Sequence, residues 1–391
     1  MDVDRLISDR ARAVDASGIR RVFDLGAKLK NPINLSIGQP DFAVPAEIKQ
    51  AAIDAINADH NGYTPTQGIA PLRARLEREL THDVGWTPGE QSGLLVTTGT
   101  SGALVLAFMC LIGPGDEAVI PDPYFVLYPH LATMCGGRAV RCDTYPDFRL
   151  TTERVEPLIT ERTKLVLLNS PSNPAGAVLS EQECRDLLDL CRARNVLLIS
   201  DEIYDQFTYA EARTQSRPGD RSPACPSPAR EAGADRDVLL VRGFGKTYGV
   251  TGWRMGYAAG PRPLIEQMAK LQQYTYVCAP TPAQHASITA LDVDMSAHIA
   301  EYQRRRDRVV ERLSAVTEIT TPGGAFYAFV KIPDRLGISA TAFVDRCVER
   351  SLLVIPGGVF SDRDTHIRLS FATDPVALDR GLDILVDLMS A

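Results

Sequence analysis

The stretch Val238–Gly256, VLLVRGFGKTYGVTGWRMG, decides how the rest of the chain is read. Val238, Leu239, Leu240 and Val241 form an unbroken apolar run, the pattern of a strand buried on both faces. The run breaks at Gly243-Phe244-Gly245, where glycine permits backbone conformations and close approaches that other residues cannot make. Lys246 follows at once, with Thr247, Tyr248, Trp253 and Arg254 beyond it. A solvated loop lysine is the plain reading, yet lysine is seldom set at the mouth of an apolar strand without a partner or a task. Two phosphate-loop patterns fail here. A P-loop requires glycine at position 240, which is Leu240, and the dinucleotide fingerprint requires glycine at position 248, which is Tyr248. What remains is a lysine nucleophile, the residue that forms Schiff bases with carbonyl compounds.

The bulk properties narrow the setting. At 391 residues the chain exceeds one ordinary core, so two domains are expected. A net charge of −7 argues against nucleic acid or an anionic membrane as the main partner. The N-terminal MDVDRLISDRARAVD has no apolar centre, and the longest apolar run, Ala103–Ile112, is too short to span a bilayer. A cytoplasmic protein is therefore expected. The eight cysteines form no CxxC pair and the histidines are isolated, so no metal site is expected.

From Leu94 onward, strands and helices alternate. Apolar runs at 94–96, 118–120, 139–141, 165–168, 196–199, 238–241 and 255–258 predict a mostly parallel seven-stranded sheet with helices on both faces. Ser180 with Glu183 three residues on marks a helix start, the helix running to Arg194. Residues 210–237 are rich in Pro, Gly, Ser and Arg and read as a surface excursion between two strands. A long helical stretch is expected from Pro282 to Leu313. Strands at 325–332, 352–355 and 366–371, mixed with helices at 341–351 and 375–389, suggest a smaller α+β domain. The expected division is an α/β large domain over 46–280 and a small domain built from 1–45 and 281–391.

In an open α/β sheet, ligands bind beyond the carboxyl ends of the parallel strands. Gly99-Thr100-Ser101 follows the first strand at a helix start, an anion cradle of backbone N–H groups and hydroxyls. Asn169 and Asn173 follow the fourth strand, and Asp201, Glu202 and Tyr204 follow the fifth. Lys246 follows the sixth. Each has a plain structural explanation alone, as a cap, a turn residue or a loop acid. Together they fit pyridoxal phosphate. Its phosphate needs N–H donors and a cation such as Arg254. Its ring nitrogen needs a carboxylate, and its aldehyde needs a lysine. An arginine should hold the substrate carboxylate, and Arg368 in the apolar run HIRLSF is the best placed.

The motifs SIGQPDF, YTPTQGIAPLR, SPSNPAG, SDEIYDQF, GFGKTYGVTGWRMGY, GGAFYAF and IRLSF, in this order, resemble the class I/II aminotransferases, fold-type I pyridoxal phosphate enzymes. The resemblance implies that Lys246 carries the cofactor as a Schiff base and shuttles the substrate proton. It implies that Asp201 pairs with the ring nitrogen, that Asn173 and Tyr204 bond the ring oxygen, and that Phe125 stacks on the ring. Thr100, Ser101 and Arg254 would hold the phosphate, with Tyr63 reaching it from the neighbouring subunit of a homodimer. Gly38 and Arg368, alongside Asn173 and Phe125, would receive the substrate. The implied reaction moves the amino group of an L-amino acid to a 2-oxo acid, with 2-oxoglutarate the expected acceptor. A carbon–sulfur β-lyase or related eliminase on the same fold is the alternative, and a non-enzymatic effector-sensing domain the remote one.

One departure stands out. Serines usually flank the loop before the lysine in this family, and here those positions are Gly243 and Gly245. A phosphate contact is expected to be lost, and Gly243→Ser is expected to restore it. No second cation for a dicarboxylate donor is evident. Phe23, Tyr63 and Tyr128, with Tyr274 or Tyr276 of the partner subunit, would make an aromatic-lined pocket, which suggests a broad or a neutral or aromatic donor range.

Overall fold

The computed structural model describes residues 1–16, 18, 19, 22, 26, 29–214 and 225–391. Seven strands form the central sheet: β2 (Ser92–Thr98), β3 (Glu117–Asp122), β4 (Arg138–Asp143), β5 (Thr163–Asn169), β6 (Leu197–Asp201), β7 (Val238–Gly243) and β8 (Met255–Pro261). Their order is β2-β8-β7-β6-β5-β3-β4. Each corresponds to one of the apolar runs, and all run parallel except β8, which is antiparallel to both neighbours.

The alternation of side chains along a strand divides these runs between two cores. Val166, Leu168, Leu198 and Leu240 face the helices Ala70–Val84 and Glu181–Ala193, while Leu165, Leu167, Ile199 and Val241 face Gly99–Leu111 and Arg262–Thr275. The helix Thr281–Ala290 also packs on the first of these cores, through Ala283, Ala286 and Ala290. Glu181–Ala193 begins in the expected capping box of Ser180 and Glu183. Its cysteines, Cys184 and Cys191, are buried members of the apolar face.

A third core lies under a smaller antiparallel sheet, β11 (Ile355–Pro356), β12 (His366–Ser370) and β9 (Tyr327–Lys331), covered by Ser296–Ser314, Ala340–Glu349 and Pro375–Ser390. β1 (Ile33–Asn34) pairs in parallel with β10 (Leu352–Leu353), which ties the N-terminal segment to the C-terminal part. Among the described residues no helix is long and apolar enough to cross a membrane.

Three expectations need correction. The single helix over 282–313 is two helices. Asp294 accepts from the backbone N–H and the hydroxyl of Ser296, which starts the second helix afresh. The run at 352–355 contributes to two different sheets, β10 and β11. The excursion over 210–237 is not all surface. Cys225, Ser227, Ala229 and Arg230 are buried, with Ser227 donating to buried Glu202 at 2.5 Å and Arg230 paired with Asp83. Residues 215–224 of that excursion lie outside the described residues.

Candidate active site

The parallel strands end on one edge of the sheet, and the register aligns their last residues. Asn169 lies opposite Asp201, and Asp201 opposite Val241, so an amide, a carboxylate and the approach to Lys246 sit side by side. Because β8 runs the other way, its first residues reach the same edge, and Arg254 arrives beside the start of Gly99–Leu111. A cavity of about 470 Å³ opens there. It is lined by Gly38, Thr100, Ser101, Phe125, Asn173, Asp201, Tyr204, Lys246, Arg254 and Arg368, among others. Of the residues singled out in the sequence, Glu202, Tyr274 and Tyr276 do not line it, and neither does Tyr63. It is 88% exposed, beside Thr98 and Tyr276. Phe23 lies outside the described residues.

Lys246 donates to the Gly38 carbonyl at 2.5 Å, and its ammonium faces the rings of Tyr204 and Phe326. Burial lowers its pKa to about 8, with the positive charges of Arg368 and Arg254 adding to the shift and Asp201 opposing it. Asp201 is buried, and burial pushes its carboxyl up to about 6. The Tyr128 hydroxyl donates to its Oδ2 at 2.8 Å and the Ile203 N–H to its Oδ1 at 3.3 Å, both favouring the anion. Asn169 donates to the Asp201 carbonyl and accepts from the Asn173 N–H, which fixes the turn that carries Asn173.

Arg368 is buried, with 1% exposure, and so is not a solvated strand arginine. It donates to Asn173 Oδ1 and to the Ser36 carbonyl, each at 3.0 Å, while its Nε has no partner. Its guanidinium lies between the rings of Tyr327 and Phe360, 4.5 and 4.6 Å from their centres. A buried cation held by neutral groups and facing a cavity is suited to an incoming carboxylate.

At the other end of the cavity Gly99 adopts φ +69, and a Cβ there would lie 2.7 Å from Arg254 Nη2. Only glycine leaves this helix start bare beside the guanidinium. The two loop glycines differ. A Cβ at Gly243 would meet Ile203 Cδ1 at 2.9 Å and Thr100 Cγ2 at 3.0 Å, so the space expected for a serine is already filled. At Gly245 the nearest atom is Thr251 Cα at 3.4 Å, an ordinary contact, and Gly245 itself lines the cavity.

Sequence reasoning gave no role to Tyr327 and saw Tyr128 only as a pocket wall. Tyr128 lies one helical turn beyond Phe125 and packs edge-on against it at 5.6 Å, a spacing that could have suggested a shared site.

Comparison with known proteins agrees with this geometry. The model of the family "Aminotransferase class I and II" matches residues 30–385. The chain is a class I/II aminotransferase. It is 35% identical to the putative aminotransferase YugH of Bacillus subtilis (strain 168), over 96% of each chain. It is 31% identical to aromatic-amino-acid aminotransferase 2 of Thermococcus litoralis, again over 96% of each. The structure of Thermus thermophilus aspartate aminotransferase with maleate superposes with a TM-score of 0.88 at 32% identity, covering 98% of this chain and 99% of that one. Aminotransferases of this family depend on pyridoxal phosphate, and the residues present in this aminotransferase fit that group. A bare helix start faces Arg254, a buried carboxylate accepts from a buried tyrosine, and the lysine between them has a lowered pKa.

Proposed function

We propose that this aminotransferase transfers the amino group of an L-amino acid with a neutral or aromatic side chain to a 2-oxo acid, through a Schiff base on Lys246. The observation that carries the reading is the buried Arg368 with its unpaired Nε, opening onto the same cavity as Lys246. When bound, pyridoxal phosphate supplies the electron sink for the carbanion at the substrate Cα. The chain's own residues do the rest. Thr100, Ser101 and Arg254 bind the phosphate end, Asp201 holds a proton on the ring nitrogen, and Phe125 packs on the ring. Asn173 and Tyr204 donate to the ring oxygen. Arg368, Asn173 and the backbone at Gly38 orient the carboxylate, so that the substrate Cα–H faces Lys246. Lys246, neutral in a larger fraction near pH 8 than an ordinary lysine, takes that proton and returns it.

The side-chain wall supports a neutral or aromatic donor. Among the described residues lining the cavity the cations are Lys246, Arg254 and Arg368, each already engaged, while Ile19, Ile37, Leu104 and Phe125 offer apolar surface. With 2-oxoglutarate as acceptor, the second carboxylate would rest on a neutral donor such as Gln39 on that wall.

The reading includes a homodimer. Ile53, Ile56, Tyr63, Tyr274, Tyr276 and Val277 are exposed, and a second copy covering them would bring Tyr63 toward the partner's phosphate end. It also includes two bodies, with the seam placed after Ala290 instead of after residue 280 because of the packing of Thr281–Ala290, and a cytoplasmic location. The deciding experiment mixes the holoenzyme with single amino acids and 2-oxoglutarate. Formation of glutamate and the matching 2-oxo acid, strongest with neutral or aromatic donors, is expected. Release of pyruvate with ammonia or a thiol would instead identify an eliminase, and Lys246→Ala with full turnover would overturn the assignment.

A further inference from the structure

Tyr327 is buried at the start of β9 and lines the cavity, yet no role in the reaction falls to it from the groups above. Three contacts meet on this one side chain. Its hydroxyl is 3.1 Å from the hydroxyl of Tyr204. Its ring face lies under the Arg368 guanidinium at 4.5 Å. A Cβ on Gly38 would approach its hydroxyl to 3.1 Å, so glycine there leaves the hydroxyl room beside the backbone that accepts from Lys246. We infer that Tyr327 is a positioning residue with two separable functions: its ring holds Arg368 for the substrate carboxylate, and its hydroxyl orients Tyr204 toward the cofactor's ring oxygen. The inference rests on the aminotransferase reading of the site.

The two functions use different parts of the side chain. Arg368 has no carboxylate partner among the described residues, so the aromatic faces of Tyr327 and Phe360 are what stabilise its charge at this depth. Burial raises the pKa of both hydroxyls, well above the ordinary value for Tyr204 and less for Tyr327, where the Arg368 charge is the first influence opposing it, so Tyr327 is the better donor of the pair. Tyr204 then accepts from Tyr327 and keeps its own proton for the cavity.

Two variants separate the roles, Tyr327→Phe, which keeps the ring, and Tyr327→Leu, which keeps neither ring nor hydroxyl. Two measurements on the holoenzyme read them. Calorimetric binding of 3-phenylpropionate, a carboxylate without an amino group, reports on Arg368. The pH midpoint of the visible absorption band of the lysine-bound cofactor reports on the hydrogen bond to the ring oxygen. Tyr327→Phe is expected to bind 3-phenylpropionate as the parent does but to raise the midpoint by on the order of half a pH unit. Tyr327→Leu is expected to raise the midpoint similarly and to weaken 3-phenylpropionate roughly tenfold or more. Loss of carboxylate binding in Tyr327→Phe, or an unmoved midpoint in both variants, would overturn the inference. A parent protein with no visible band would overturn the aminotransferase reading instead, so the two failures are distinct.

Discussion

Tyr128 donates its hydroxyl to Asp201 across 2.8 Å, and both side chains are buried. Burial alone drives a carboxyl toward its neutral form, and a neutral Asp201 could not fill the proposed role of holding a proton on the cofactor ring. Among the described residues Tyr128 is the one side-chain donor to that carboxylate, so Tyr128→Phe should raise the Asp201 pKa above its value of about 6. A hydrogen bond to a charged group is worth about 1.5–3 kcal/mol. Equilibrium dialysis of the apoprotein should therefore show pyridoxal phosphate binding weakened on the order of tenfold at pH 7. Unchanged affinity would mean that the Ile203 N–H suffices.

In their proposed roles, Lys246 and Asp201 would set a pH window for cofactor capture by the apoprotein. The attacking form of Lys246 is the neutral amine, and burial moves its appearance from the ordinary range near 10.5 down to about 8. The useful form of Asp201 is the anion, which is lost as pH falls through about 6. Capture rates should then rise as pH increases toward 8, level off above it, and collapse below 6. Stopped-flow absorbance reads both limbs. A lysine limb centred near 10.5 would show that the cavity does not desolvate the amine.

Much of this site is legible in the order of the amino acids, for a physical reason. Parallel strands with both faces buried leave unbroken apolar runs, and the runs end where the ligand edge begins, so Thr100, Asn173, Asp201 and Lys246 are each marked by the strand that precedes them. The antiparallel β8 leaves no such mark, since a buried strand reads the same in either direction. Groups acting through long-range contacts are not legible in this way. Tyr327 comes from a strand of another sheet, and Tyr128 meets Asp201 across 73 residues of sequence. The burial of 225–230 is hidden too, because it depends on Glu202 and Asp83, residues distant in the chain, and not on local periodicity.

Arg368 should show function held against stability. Its burial without a carboxylate partner among the described residues is unfavourable, and hydrogen bonds to Asn173 and Ser36 offset only part of that. Arg368→Met keeps the volume and removes the charge. Thermal unfolding is expected to be unchanged or shifted upward, while KM for amino acids rises by roughly a hundredfold, as for a lost bidentate contact of about 3 kcal/mol. Reaction with 2-phenylethylamine, which lacks the carboxylate, should be little affected. A large fall in melting temperature, or equal losses with both substrates, would indicate a structural arginine.

The loop glycines before Lys246 answer differently to the same substitution. At Gly243 an added Cβ must displace Ile203 Cδ1 and Thr100 Cγ2 and lies 3.2 Å from the Met255 carbonyl oxygen. Overpacking of this kind costs about 1–3 kcal/mol. Gly243→Ser should therefore lower stability, disturb Thr100 and retain cofactor no better than the parent. At Gly245 the added atom rests 3.4 Å from Thr251 Cα, and the residue lines the cavity, so a hydroxyl there has room and something to donate to. Gly245→Ser should fold normally and slow the loss of pyridoxal phosphate during dialysis, by severalfold for one added hydrogen bond of about 1 kcal/mol. Faster loss from Gly245→Ser than from Gly243→Ser would show that the phosphate end lies closer to residue 243, and that Ile203 and Thr100 yield to admit the side chain.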